Sequence, residues 1–265
     1  MSEPASGEAH ARVPADLRHA LRALASRRPL LLAFDFDGAL APIVARPEDA
    51  RPLPGSVDAI TTLSQAPDVV TALVSGRSRA DLAGVSGAAP SPHLLLVGSH
   101  GAEVDASGPA GLDDAARQRL EEVAALLSDV ASHHRGARLE HKPASVVLHT
   151  RRIDDRASAA DATASALALL HGRPGVHVTP GKEVVEAAVV ETGKGAALQR
   201  LRSAYGAAGV LYVGDDVTDE HAFAVLGPDD VGVKVGDGDT LARYRVTDPG
   251  AVRELLRALV GVVAP

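Results

Sequence analysis

Two aspartates two places apart, Asp35 and Asp37, close an apolar run reading P-L-L-L-A-F-D-F-D-G-A-L from Pro29 to Leu40. The run has the length of a strand. In an extended chain residues i and i+2 point to the same side, so both carboxylates face one spot at the strand's carboxyl end. In an open α/β sheet that end is where ligands bind. Two like charges so close repel unless a cation lies between them or one keeps its proton. The chemistry this predicts is Mg2+-assisted, with one Asp as nucleophile and the other as acid and base. A strand running into an acidic turn has the same local sequence, so the rest of the chain decides.

Three further stretches point the same way. L-V-S-G-R puts the Ser75 hydroxyl and a glycine amide at the tip of a second strand, which suits one oxygen of a phosphoryl group. Arg77 beside them is a candidate substrate contact. T-G-K-G starts a helix with Lys194, where helix dipole, free N–H groups and ammonium all favour an anion. G-D-D-V-T-D-E follows a third apolar run and gathers Asp215, Asp216, Asp219 and Glu220. Mg2+ takes a few carboxylates together with waters and substrate oxygens. Each stretch alone also has a plain reading: a turn, a solvated lysine, an acidic helix start. Their order and spacing together carry the prediction.

The elements that must position these groups alternate. Strands are predicted at Pro29–Phe36, Asp68–Val74, His93–Gly98, Val210–Val213, Val231–Val235 and Tyr244–Thr247. Helices are predicted at Pro14–Ser26, Ser56–Gln65, near Ser78–Leu82, Gly193–Ala204, on to Val225, and Pro249–Val262. This alternation predicts an α/β fold with a doubly wound, parallel, Rossmann-like sheet. The pattern changes in the middle. Long helices at Leu112–Ser132 and Asp154–His171 flank short strands at Ala137–His141, Ser145–Thr150, Val176–Thr179 and Glu183–Glu186, with a turn at Pro180-Gly181. The organisation expected is a core of 14–107 and 188–265, an inserted α+β cap at 108–187 and a flexible N-terminus at 1–13. Hinges are expected at Asp105–Leu112 and Ala187–Thr192.

Composition narrows the classes. Aromatics are only 2% of the 265 residues, so Ala, Val and Leu must build the core. A net charge of −7 argues against a nucleic-acid partner, which requires a basic face. It leaves room for a small anion in a pocket where a metal and a few cations reverse the field. With no cysteine there is no disulfide and no thiolate metal site. No apolar run reaches the ~20 residues of a membrane span, and Met1–His10 is unlike a signal peptide. A soluble, cytoplasmic monomer without membrane partners is expected. Among the 11 histidines no H-x-x-x-H pair with a carboxylate stands out, so no zinc site is predicted.

D-F-D-G-A-L, S-G-R, G-K-G and G-D-D-V-T-D-E, in that order, resemble the haloacid dehalogenase superfamily of phosphohydrolases, and the insertion resembles its larger cap type. The resemblance covers Leu30 to Val235. It implies that Asp35 is the nucleophile, forming an aspartyl-phosphate, and that Asp37 protonates the leaving oxygen and then activates water. It implies Mg2+ held by Asp35, the Asp37 carbonyl and an acid of the fourth motif, Asp215 with Asp216 and Asp219 in support. Ser75 and Lys194 would hold phosphate oxygens. One departure is Ala39, where the family usually has Thr; the lost hydroxyl is expected to slow the enzyme without changing the reaction.

E-H-K-P-A-S-V-V-L-H-T-R (140–151), G-K-E-V-V-E (181–186) and G-S-H-G-A-E (98–103) resemble trehalose-6-phosphate phosphatases. By that resemblance Glu140, Lys142, Lys182 and Glu186 bind sugar hydroxyls, Arg151 lies near the phosphate and His100 near the substrate. Thr150 and the pair Ala187-Ala188 depart from the family pattern. The reaction implied is Mg2+-dependent hydrolysis of trehalose 6-phosphate to trehalose and phosphate. Sucrose phosphate, glucosylglycerol phosphate or a hexose phosphate are alternative substrates. A non-catalytic sugar-phosphate sensor or scaffold is the alternative from another class, and the full set of acids argues against it.

Overall fold

The computed structural model describes residues 13–104, 112–181, 183–191 and 193–264. In chain order the elements are α1 (Ala15–Ala25), β1 (Leu30–Asp35), α2 (Ser56–Ser64), β2 (Val69–Val74), α3 (Arg79–Ser86), β3 (Leu94–Val97), α4 (Asp114–His133), β4 (Arg138–His141) and β5 (Ser145–His149). They continue with α5 (Arg156–Leu170), β6 (His177–Gly181), β7 (Val184–Ala188), α6 (Lys194–Ala204), β8 (Gly209–Gly214), α7 (Val217–Phe223), β9 (Val231–Val235), β10 (Tyr244–Val246) and α8 (Pro249–Val263). The described residues form two compact units: one up to His100 and again from Lys194, the other from Gly101 to Gly193. Residues 1–12 of the expected flexible terminus, most of the first expected hinge, Thr192 of the second, and Lys182 lie outside the described residues; Val13 is buried.

The first unit is built on a six-stranded sheet in the order β10-β9-β8-β1-β2-β3, parallel at every pairing. Every residue of β1, β2, β8 and β9 is buried. Their unbroken Leu/Val runs are what a sheet covered on both faces requires. Leu30, Leu32 and Phe34 pack into a core with Leu17, Leu21 and Leu24 of α1, Ile60 and Leu63 of α2, and Leu255, Leu256 and Leu259 of α8. Each buried leucine contributes about 1.5–3 kcal/mol, which is how a chain nearly without aromatics holds its sheet. The chain steps from β1 to β2 to β3 in one direction, then returns to β8 on the other side of β1. That reversal opens a crevice beyond the carboxyl ends of β1 and β8.

The second unit is a four-stranded antiparallel sheet in the order β4-β5-β7-β6. Helices α4 and α5 bury one face, where Val146, Leu148, Val185 and Ala187 meet Val123, Leu127, Ala162 and Ala166. The helices start on aspartate caps: the Asp113 carboxylate accepts from Ala116 N at 2.6 Å and Asp155 from Ser158 N at 2.8 Å.

Two local expectations need correction. Pro180 and Gly181 are not a turn but the last residues of β6, paired with Val185 and Val184. β6 lies at the sheet edge, where a proline without an N–H costs no ladder bond; past it, Glu183 takes a left-handed φ of 62°. Helix α3 continues past Leu82 to Ser86 and stops at Gly87, whose φ of 66° breaks the helical path. Among the described residues no helix is long and apolar enough to cross a membrane.

Candidate active site

The carboxyl end of β1 delivers Asp35 into the first unit's crevice, 4% exposed. Its Oδ1 lies 2.9 Å from Lys194 Nζ, at the first residue of α6. The same ammonium, 3% exposed, donates to Asp219 Oδ1 at 2.7 Å. Burial pushes the Asp35 carboxyl well above the usual carboxylate range, Asp219 adds to this, and Lys194 opposes it. Burial disfavours the charged form of Lys194, yet Asp35 and Asp219 outweigh that and raise its pKa.

Asp219 is fully buried and saturated. Its Oδ1 accepts from Lys194 Nζ and from the Tyr212 hydroxyl at 2.7 Å, and its Oδ2 accepts the amides of Asp215 and Asp216 at 2.9 Å each. Tyr212, inside β8, is itself fully buried against Phe223, with ring centroids 5.6 Å apart. Burial, then Asp219, drives its hydroxyl well above the ordinary phenol pKa, so it stays a donor. Gly214 is needed at this turn because a Cβ there would stand 2.3 Å from the Asp219 carboxyl carbon.

Asp215 is different. Its Oδ1 is buried without a hydrogen-bond partner among the described residues. Its carboxylate presses so close to Gly38 that a Cβ on that residue would lie 1.9 Å from Oδ2. Asp35, Asp215 and Asp219 each bring a carboxylate oxygen within 4.8 Å of the others. Burial first, with Asp219, raises the Asp215 pKa. Carboxyls pressed together, one with an unused buried oxygen, fit a divalent cation. With Asp219 saturated, Asp35 and Asp215 are the carboxylates free to hold it. Asp216 lines the same cavity, but its Oδ1 accepts from Val217 N at 2.6 Å as the N-cap of α7.

Asp37, half-buried, is gripped at both oxygens by Arg77: Nε–Oδ2 and Nη2–Oδ1 are each 2.7 Å. The guanidinium also lies 5.7 Å from the centre of the Phe36 ring. Ser75 is buried at the end of β2, where its oxygen accepts from Arg77 N at 3.1 Å and its proton remains available to a ligand. His100 stands in a left-handed conformation, φ 53°, pinned by its amide donating to Ser75 O at 2.9 Å. Its ring packs on Gly76, where a Cβ would lie 2.7 Å from Cε1. Burial, then Lys194, lowers the His100 pKa, which favours the neutral ring. Asp35, Asp37, Ser75, Arg77, His100, Lys194, Asp215 and Asp216 thus line one cavity of about 590 Å3, walled on one side by Ile43, Val44 and Pro47.

The remaining candidates belong to the second unit. Strand register sets Glu140 opposite Val147, Val147 opposite Glu186 and Glu186 opposite Thr179, one row on the sheet face away from α4 and α5. Lys142 Nζ is 3.2 Å from Glu186 Oε1, which also accepts from Ser145 Oγ at 2.7 Å. His149 Nε2 meets Glu140 Oε2 at 2.9 Å. Arg151 is 83% exposed, with Glu183 at 3.7 Å.

Sequence reasoning missed Tyr212 and Lys234. Both are polar groups inside otherwise apolar strands, L-Y-V and V-K-V, and that break in pattern was the available signal.

A doubly wound parallel sheet carrying acids at the β1 and β8 ends, together with an antiparallel α+β unit, defines the haloacid dehalogenase superfamily. The trehalose-phosphatase family model matches residues 33–249, and the chain belongs to that family. A trehalose-6-phosphate phosphatase of Aspergillus fumigatus superposes with a TM-score of 0.62 at 25% identity, over 95% of this chain and 98% of that one. The trehalose-phosphate phosphatase of Mycobacterium marinum is 36% identical over 83% of this chain and 59% of its own length. A probable trehalose-phosphate phosphatase of rice is 32% identical over 92% of this chain and 73% of its own. An uncharacterized glycosyl hydrolase of Mycobacterium tuberculosis is 36% identical over 90% of this chain, which spans 19% of that protein's length.

Proposed function

We propose that this protein hydrolyses trehalose 6-phosphate to trehalose and phosphate, with Mg2+, through an aspartyl-phosphate. The observation that carries the chemistry is the placement of Asp35 beside Lys194 and Asp215 in one cavity with Ser75 and Arg77. An Asp35 oxygen attacks phosphorus in line, and the bond from phosphorus to the sugar oxygen breaks. Asp37 gives its proton to that leaving oxygen. It then takes a proton from the water that attacks the phosphoryl group, which frees phosphate and restores Asp35. Ser75 Oγ–H and the third N–H of Lys194, beyond those on Asp35 and Asp219, hold phosphoryl oxygens. Asp35, the Asp37 carbonyl and Asp215 would hold Mg2+, which would supply positive charge to keep the Asp35 and Asp215 carboxylates ionised and to offset the charge on the phosphoryl oxygens.

The second unit serves in this reading as the cap that selects the sugar. Glu140, Lys142 and Glu186 on its open face offer charged partners to hydroxyls, which both donate and accept. The departures from the family pattern at Thr150, Ala187 and Ala188 fall on buried positions; Ala187 turns to the helices, while Ala188 shares its face with Glu186. The family match and the named relatives support the disaccharide over a hexose.

The test is phosphate release from trehalose 6-phosphate, glucose 6-phosphate and sucrose 6-phosphate, with and without Mg2+. We expect Mg2+-dependent release with kcat/KM for trehalose 6-phosphate roughly 10²-fold or more above the others. Equal values on glucose 6-phosphate would remove the disaccharide assignment, and no release from any substrate would remove the enzyme.

A further inference from the structure

Lys234 lies in the middle of β9, in the run V-G-V-K-V, and is only 5% exposed. Val231, Val233 and Val235 enter the main core. Alternation turns Gly232 and Lys234 to the opposite face, where a Cβ on Gly232 would meet Leu226 and Phe223. The register pairs Lys234 with Gly214, directly before the acidic loop. Its Nζ donates to the backbone carbonyl of Asp215. Among the described residues no carboxylate forms an ion pair with it. Burying an ammonium with only a carbonyl as partner works against the fold. An apolar side chain would serve the strand better, so stability of the fold does not account for the lysine.

We propose that Lys234 is a positioning residue for the metal-binding loop: by holding the Asp215 carbonyl from behind, it turns the Asp215 carboxylate forward onto Asp35 and the cation. The inference rests on the metal site of the proposed function and extends it. One oxygen of Asp215, Oδ1, is left without a partner among the described residues, and the Asp215 carboxylate lies in the cluster with Asp35. A role in position and a role in charge alone have opposite signs for metal affinity. If Lys234 acted only as a nearby positive charge, it would repel Mg2+, and its removal would tighten binding. If it sets the loop, its removal loosens binding.

The experiment compares the full chain with Lys234→Met, which keeps length and removes both charge and donor, and Lys234→Gln, which keeps a donor. Mg2+ affinity is read from the metal-dependent rise in Tm without substrate, and folding from circular dichroism. We expect Lys234→Met to bind Mg2+ at least tenfold more weakly, with a metal-free Tm equal to or above that of the unaltered protein. Lys234→Gln should fall between. An unchanged or tighter Mg2+ Kd in either soluble variant overturns the proposal. Failure of both to fold without metal also overturns it, since Lys234 would then belong to the fold. Mg2+ binding absent from the unaltered protein would instead overturn the metal site itself, and this inference with it.

Discussion

Arg77 holds both carboxylate oxygens of Asp37, at 2.7 Å each, while its guanidinium carbon lies over the Phe36 ring, 5.7 Å from the centre. The pair fixes the direction in which the proposed acid and base faces the cavity. Asp37 also raises the Arg77 pKa through these bonds, so the guanidinium keeps its charge throughout the working range. A lysine carries the charge but cannot grip two oxygens at once.

Replacing Arg77 should therefore lower kcat in graded steps, about tenfold for Arg77→Lys and about 100-fold for Arg77→Ala. The Mg2+-dependent rise in Tm should persist in both, because Asp35 and Asp215 are untouched. Steady-state kinetics beside thermal denaturation checks this. An Arg77→Ala protein with unchanged kcat would show that Asp37 needs no such support.

Asp35 and Lys194 should respond oppositely to removal. The Asp35 pKa is raised in the folded protein, so its favourable contribution is present below the ordinary carboxylate pKa and is lost as pH rises through the folded pKa. Asp215, also raised, has the same sign. The metal-free protein should lose stability as pH climbs out of the ordinary carboxylate range, and Mg2+ should offset the loss. Asp35→Asn should flatten this profile and raise the metal-free stability at neutral pH by roughly 1 kcal/mol, or the Tm by about 2–4 °C, while abolishing turnover. Lys194→Met leaves Asp35 and Asp219 buried without their cation and should cost about 3–5 kcal/mol. Thermal melts across pH, with and without Mg2+, decide. A stabilised Lys194→Met would contradict the geometry.

Tyr212 reaches the chemistry only through Asp219, whose Oδ1 it shares with Lys194. Tyr212→Phe keeps the ring packed on Phe223 and removes one donor to a buried carboxylate, a loss of about 1.5–3 kcal/mol. With one contact of Oδ1 gone, Lys194 should sit closer to Asp219 and serve the phosphoryl group less well. The expected result is a lower kcat with KM for substrate nearly unchanged. A kcat that falls only in step with the unfolded fraction would limit Tyr212 to packing.

The strands were legible because a parallel sheet covered on both faces writes itself as unbroken apolar runs, as in Leu30–Phe34 and Val69–Val74. Asp35 and Asp37 were legible because a period of two places them together whatever surrounds them. What support each group receives was not legible. Nothing in S-G-R says that Arg77 turns back on Asp37, a residue 40 positions away. Nor does D-D-V-T-D say that Asp219 spends its oxygens on Lys194, Tyr212 and two amides while Asp215 Oδ1 is left without a partner among the described residues. Such partners depend on tertiary packing, which local patterns do not encode. Pro180-Gly181 failed for a related reason: a turn signal in sequence is overridden where an edge strand tolerates proline.

Ala39 tests how far family pattern can substitute for local physics. From sequence alone, the missing threonine hydroxyl is expected to loosen the loop after Asp37. The structure ties that loop by its own backbone: Gly38 N donates to Ala41 O at 2.8 Å, and Leu40 N and Ala41 N donate to Phe36 O at 3.0 and 2.9 Å. Ala39 is fully buried in the apolar core, beside Phe36 and Leu40. A larger side chain there enters a fully buried position of the apolar core. Ala39→Thr should thus cost about 1–3 kcal/mol from overpacking and change kcat by no more than about twofold, a shift small beside the 10²-fold or more of a lost acid or base. Melting temperature and kcat of the single variant check it. A kcat raised tenfold would mean that these backbone bonds alone hold the loop too loosely.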